Sequence, residues 1–105
     1  MGYWGTGIFD NDTACDIRAR FQRFIVEGIG MEEIIQRCIE GFPEPMEDIS
    51  VVLALAALQI EQRCLMPTIR QLAISLIEQE DINSWKDPEK RLRDISAFKQ
   101  KLLQH

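Results

Sequence analysis

The sequence predicts an all-α protein: a single five-helix bundle preceded by an irregular arm rich in glycine and aromatic residues. Apolar residues recur at steps of three and four along five separate stretches, the spacing of one helix face. Asn, Asp, Pro and Gly stand at the ends of those stretches, where each starts or stops a helix. No stretch alternates apolar and polar residues over a strand's length between turn signals. With 105 residues, 46% of them hydrophobic, the chain can bury one core without metals or disulfides, so residues 1–105 are read as one domain.

The arm is residues 1–9, Met-Gly-Tyr-Trp-Gly-Thr-Gly-Ile-Phe. Large aromatics on so short a segment favour burial, and Trp4 or Phe9 is expected to dock on the bundle. A phosphate loop would need Lys-Ser or Lys-Thr after the last glycine, and a dinucleotide fingerprint would need glycine where Asp10 stands. Neither pattern is present. The first helix, 11–28, opens on Asp10-Asn11-Asp12-Thr13, whose side-chain oxygens suit the unpaired N–H groups of a first turn. Its apolar stripe is Ala14, Ile17, Phe21, Phe24 and Ile25, ending at Gly28. The second helix, 31–40, carries Met31, Ile34, Ile35, Cys38 and Ile39, with Gly41 just past its end. Two prolines in Gly41-Phe-Pro-Glu-Pro45 then force a loop.

Asp48 opens the third helix, 48–63, in which only Ser50 and Gln59 are polar between Ile49 and Ile60. A helix apolar nearly all round belongs at the centre of a bundle. Pro67 starts the fourth, 67–79, with Ile69, Leu72, Ala73, Leu76 and Ile77 on one face. Asp87-Pro88 starts the fifth, 88–103, whose stripe reads Leu92, Ile95, Phe98, Leu102 and Leu103. Trp85, just before it, is expected to cover the end of the core.

Charge narrows the range of partners. The net charge is −5 and the pI about 4.8, which leaves no field to attract a nucleic-acid backbone. Residues 1–50 carry −6 and residues 51–105 carry +1, so the basic last helix is expected beside the acidic first half. Cys15, Cys38 and Cys64 are an odd, widely spaced set without a Cys-x-x-Cys pair. They are read as reduced, small apolar residues, two facing the core, in a cytoplasmic protein. No signal peptide is visible, and the longest apolar run, Ile49–Ile60, is too short to span a bilayer.

Catalytic chemistry has little to stand on. His105, at the end of the sequence, is the only histidine, a poor place for a general base or a zinc ligand. Asp10, Asp12 and Asp16 begin like a calcium loop, but Ala14, Cys15 and Phe21 occupy positions that need a ligand, a glycine and a bidentate Glu. Helix capping and i,i+4 pairing account for them more simply: Asp10 or Asn11 as cap, and Asp16 pairing with Arg20 in the way expected of Glu33–Arg37 and Glu89–Arg93. No catalytic, cofactor-binding or metal-binding residue is therefore assigned.

The reading that follows is a non-enzymatic protein-interaction module, of immunity or antitoxin-like kind, acting on an unidentified protein partner. Nucleic acid and membrane are excluded as partners. Once the expected internal pairs are removed, Glu27, Glu32, Glu40, Glu44, Glu47 and Asp48 stand without partners. Glu32, Glu40, Glu44, Glu47 and Asp48 form the candidate surface. Two alternatives stay open: a small enzyme or metal site on Asp10, Asp12 and Asp16, and a homo-oligomeric housekeeping or stress protein.

Trp4-Gly5-Thr6-Gly7-Ile8-Phe9-Asp10-Asn11-Asp12-Thr13-Ala14-Cys15-Asp16 resembles the W-G-x-G-x-F-(D/E)-N-D-x-A-x-D opening of an uncharacterised bacterial family catalogued as domain of unknown function 4259. Further along, the similarity is one of pattern: an alanine-rich middle helix at Val52–Leu58, a proline-started helix, and Trp85 ahead of a basic helix. The resemblance implies a bacterial, single-domain helical protein and carries no activity, cofactor or catalytic residue. Trp4, Gly5, Gly7, Phe9, Asp10, Asn11, Asp12 and Asp16 are its structural motif.

Overall fold

A computed structural model describes residues 7–81, 83, 85 and 87–104. Trp4, Gly5 and His105 lie outside the described residues. Five α-helices follow in order: α1 (Asp12–Val26), α2 (Met31–Cys38), α3 (Ile49–Glu61), α4 (Pro67–Gln79) and α5 (Pro88–Leu103), with a 3-10 turn at Pro45–Glu47 before α3. There is no strand among the described residues.

Alanines 54 and 56 leave room for close neighbours, and α3 takes the centre, with every residue from Ser50 to Ala56 buried, as are Leu58 and Gln59. Helix α1 packs on α3, as does α4; α2 lies on α1, α5 packs chiefly on α4, and the 3-10 turn covers part of α3. The molecule measures 39 × 31 × 21 Å, its short dimension that of two helix layers. Phe21, Ile17, Ile34, Leu53, Leu55, Leu58 and Leu102 are among its largest fully buried side chains.

Helix ends follow local chemistry. After α1, the Ile29 N–H donates to Phe24 C=O (3.1 Å) and the Gly28 N–H to Ile25 C=O (3.0 Å), with Gly28 left-handed at φ 78°. These are the bonds of a Schellman stop. The same bonds close α3, from Cys64 to Gln59 and from Arg63 to Ile60, both at 3.0 Å. There the left-handed position, φ 57°, is held by Arg63. A side chain in that conformation costs about 1–2 kcal/mol relative to the ordinary helical region.

The last helix departs from expectation in two ways. Its buried stripe is Arg91, Ile95, Phe98 and Leu102, while Leu92 and Leu103 are about half exposed, at 47% and 54%. The helix is turned so that Arg91 faces inward, because Glu80 at the end of α4 pairs with it. Nor is the acidic first half the main neighbour of α5. Helix α4 supplies the balancing acids, Glu80 to Arg91 and Glu78 to Lys99 at 3.1 Å.

Candidate functional site

From Gly7 onward the N-terminal motif builds the start of α1. Asn11 is the cap: its backbone is extended (φ −159°), and its side-chain oxygen accepts the Ala14 N–H at 2.7 Å. Its Nδ2 donates back to Ile8 C=O at 3.4 Å. Asp10 holds the preceding turn, its Oδ2 accepting the Gly7 N–H at 2.9 Å while its own N–H donates to Gly7 C=O at 3.2 Å. A Cβ on Gly7 would stand 2.9 Å from that same Oδ2, so glycine fits where a side chain would push the carboxylate away. Phe9 is half-buried; its carbonyl accepts the Cys15 thiol at 3.2 Å, and the Arg18 guanidinium lies 4.8 Å from its ring centroid.

The three carboxylates of this segment have separate tasks. Asp10 serves the Gly7 turn, Asp12 is exposed in the first turn of α1, and Asp16 pairs with Arg20 at 3.2 Å. Among the described residues, no group of three or more His, Cys, Asp or Glu side chains could hold a metal ion.

The acidic surface is organised by Arg20. Its Nη1 donates to Cys38 C=O (3.0 Å) and Glu40 C=O (2.9 Å), and its guanidinium lies 5.4 Å from the Phe42 ring centroid. One side chain of α1 thereby fixes the chain as it leaves α2. Beyond it, Phe42, Pro43, Glu44, Glu47 and Asp48 line an open depression of about 300 Å³. Glu40, Glu44 and Glu47 are exposed and form no ion pair among the described residues. Asp48 is half-buried and occupied, capping α3 by accepting the Ser50 N–H at 2.9 Å. Glu32 is not brought to this group: it lies in the first turn of α2, about 12 Å of helix from the other end. Glu27, expected to be free, pairs with Arg23 at 3.7 Å, and Glu33 pairs with Arg37 at 2.6 Å. On α5 the i,i+4 pair formed is Lys90–Asp94 at 3.4 Å rather than Glu89–Arg93.

Sequence reasoning missed a second cluster. Arg91 Nε donates to Glu80 Oε2 (2.9 Å) and Nη2 to Oε1 (2.6 Å), a two-pronged pair with side chains 4% and 7% exposed. The Trp85 ring lies 4.2 Å from the same guanidinium. A tryptophan ahead of a basic helix was the one visible signal, and its half-buried ring lies against the Arg91 guanidinium.

The cysteines are free and unequal: Cys38 buried, Cys15 half-buried, Cys64 exposed. Burial pushes the Cys38 thiol up to about 11 against the opposing pull of Arg20 and Arg23, and partial burial also raises Cys64. Neither is an activated nucleophile at neutral pH. No helix of the described residues is long and apolar enough to cross a membrane.

A family model described as Domain of unknown function (DUF4259) matches residues 2–102. No curated protein and no solved structure matches the chain.

Proposed function

The chain belongs to the DUF4259 family, and we propose that it works as a non-enzymatic protein-interaction module, of immunity or antitoxin-like kind, whose partner is a basic protein. The observation that carries this reading is the exposed acidic turn between α2 and α3. Glu44 and Glu47 line a depression with Phe42 on its wall, Glu40 is exposed two residues before Phe42, and none of the three forms an ion pair with a cation of the described residues. The distribution of the cations supports it. Helix α5 pairs its Arg91 and Lys99 with Glu80 and Glu78 at and near the end of α4 rather than with acids of residues 1–50. Uncompensated charge of one sign beside an aromatic steers a partner of the opposite sign and gives it an apolar contact once docked. The proposed surface is Glu40, Glu44, Glu47 and Phe42; Asp48 contributes charge while holding α3, and Glu32 lies apart from it.

The test is affinity purification from the native host with the wild-type chain and a Glu40→Gln, Glu44→Gln, Glu47→Gln triple variant as parallel baits. A basic protein retained by the wild type and lost from the variant is the expected result. A partner retained equally by both would move the interface elsewhere, and turnover of a small molecule by the purified protein would replace this reading with an enzymatic one.

A further inference from the structure

Arg20 reaches the acidic turn from α1 and pairs with none of its carboxylates. Its Nη1 donates to two backbone carbonyls, Cys38 at 3.0 Å and Glu40 at 2.9 Å, while its Nη2 faces Asp16 Oδ2 at 3.2 Å. Its guanidinium lies 5.4 Å from the Phe42 ring centroid. A helix leaves its last carbonyls without partners of its own. The Phe42 N–H, which would bond Cys38 C=O if α2 continued, donates to Ile39 C=O at 3.1 Å instead. Gly41, left-handed at φ 89°, then swings the chain away. Arg20 thus takes up the Cys38 carbonyl and ties the end of α2 to two residues of the acidic surface, by the carbonyl of Glu40 and the ring of Phe42.

On charge alone this is the wrong residue in that place. A guanidinium bonded to the backbone of an exposed acidic turn lowers the local negative potential, and with it the attraction for a basic partner. Two features resolve the conflict. Asp16, one helical turn back on α1, supplies Arg20 with a counter-charge of its own. The planar fork also bridges two carbonyls at once, a geometry that an ammonium on a flexible stem does not reproduce. A turn held in this way presents its carboxylates and its aromatic ring already ordered, so less freedom is lost on docking.

On the reading of this turn as the docking surface for a basic protein, we propose that Arg20 is its positioning residue, strengthening capture by fixing Glu40 and Phe42 to the end of α2. Its effect is then opposite in sign to that of its charge. Removing Arg20 makes the molecule more negative, yet a basic ligand should bind it less well.

The test compares four whole chains: wild type, Arg20→Met, Arg20→Lys and the Glu40→Gln, Glu44→Gln, Glu47→Gln variant. A deca-arginine peptide is the basic probe. ¹⁵N relaxation reads the order of the Glu40, Gly41, Phe42, Glu44 and Glu47 N–H groups, and a chemical-shift titration at fixed ionic strength gives Kd. Arg20→Met should lower the heteronuclear NOE of these groups and weaken Kd by about tenfold, with Arg20→Lys recovering part of both. A role in stability alone would move the melting temperature and leave Kd unchanged or tighter. An Arg20→Met chain that binds as well as wild type, or better, overturns the inference and leaves the acidic-turn reading standing. A triple variant that binds like wild type, or a wild type that does not bind the peptide, overturns that reading and the inference with it. If Arg20→Met does not fold, Arg20→Lys decides: a Kd equal to that of wild type overturns the inference.

Discussion

Removing Arg91 should cost this protein a large fraction of its stability. The guanidinium and the Glu80 carboxylate are joined by two hydrogen bonds of 2.9 and 2.6 Å, with side chains 4% and 7% exposed. Arg91→Met keeps the aliphatic length but leaves Glu80 buried without its counter-charge and uncovers the face of Trp85, 4.2 Å away in the wild type. Breaking a buried pair from one side costs about 3–5 kcal/mol. The total for a domain of this size is roughly 5–15 kcal/mol. At about 4–8 °C per kcal/mol the melting temperature should fall by roughly 12–40 °C. Arg91→Lys keeps the charge without the two-pronged fork and should fall between. The double variant Glu80→Leu, Arg91→Met removes both charges and should recover most of the loss, since a matched apolar pair is often no worse than a buried ion pair. Urea and thermal unfolding followed by far-UV circular dichroism measure all four proteins. A single variant within about 0.5 kcal/mol of wild type, or a double variant less stable than the single, would refute the reasoning.

Three further outcomes follow from other residues. Arg63→Gly should stabilise the protein by about 1 kcal/mol in the same unfolding assay, because Arg63 occupies a left-handed position that glycine takes without strain. Asn11→Ala should destabilise by about 1 kcal/mol through loss of the 2.7 Å cap bond, whereas Asn11→Asp should retain most of it. The Cys38 thiol, raised from 9.0 to about 11, favours folding while neutral. Its contribution is complete below about pH 9 and is lost as pH rises through about 11. Stability of Cys38→Ala should accordingly show a weaker fall across that window, and an aromatic disulfide reagent at neutral pH should modify Cys64 well before Cys38.

Much of the fold was legible because local signals and burial agree. Pro67 and Pro88 mark the starts of α4 and α5, and the all-round apolar run of α3 could only be central. Asn11 was readable as one of two candidate caps, since its position before the periodic stretch fits what a first turn needs. Elsewhere the sequence misleads. Leu92 is the natural choice for a buried stripe, yet Arg91, one residue and about 100° around the helix away, is buried instead. Its partner Glu80 lies on another element, which no helical period reveals. The acidic surface was half legible: the carboxylates could be counted, but their grouping depends on Arg20 gripping carbonyls 18 and 20 residues away. Glu32 and Glu44 look alike in sequence, and only the second reaches the depression. Gln59 reads as a lapse in an apolar helix and proves to be a fully buried amide tied to the next helix.

The central claim, that the acidic turn after α2 recruits a basic protein, is tested most directly by an association rate. With the captured partner immobilised, kon is measured for wild type and for the Glu40→Gln, Glu44→Gln, Glu47→Gln variant at low and at high ionic strength. Steering by exposed charge is screened beyond roughly 10 Å at 0.1 M salt. The wild-type rate should therefore fall by about tenfold or more between the two conditions, while the variant starts lower and changes little. A wild-type rate indifferent to salt, or a variant with the same rate and the same salt dependence, would contradict the claim.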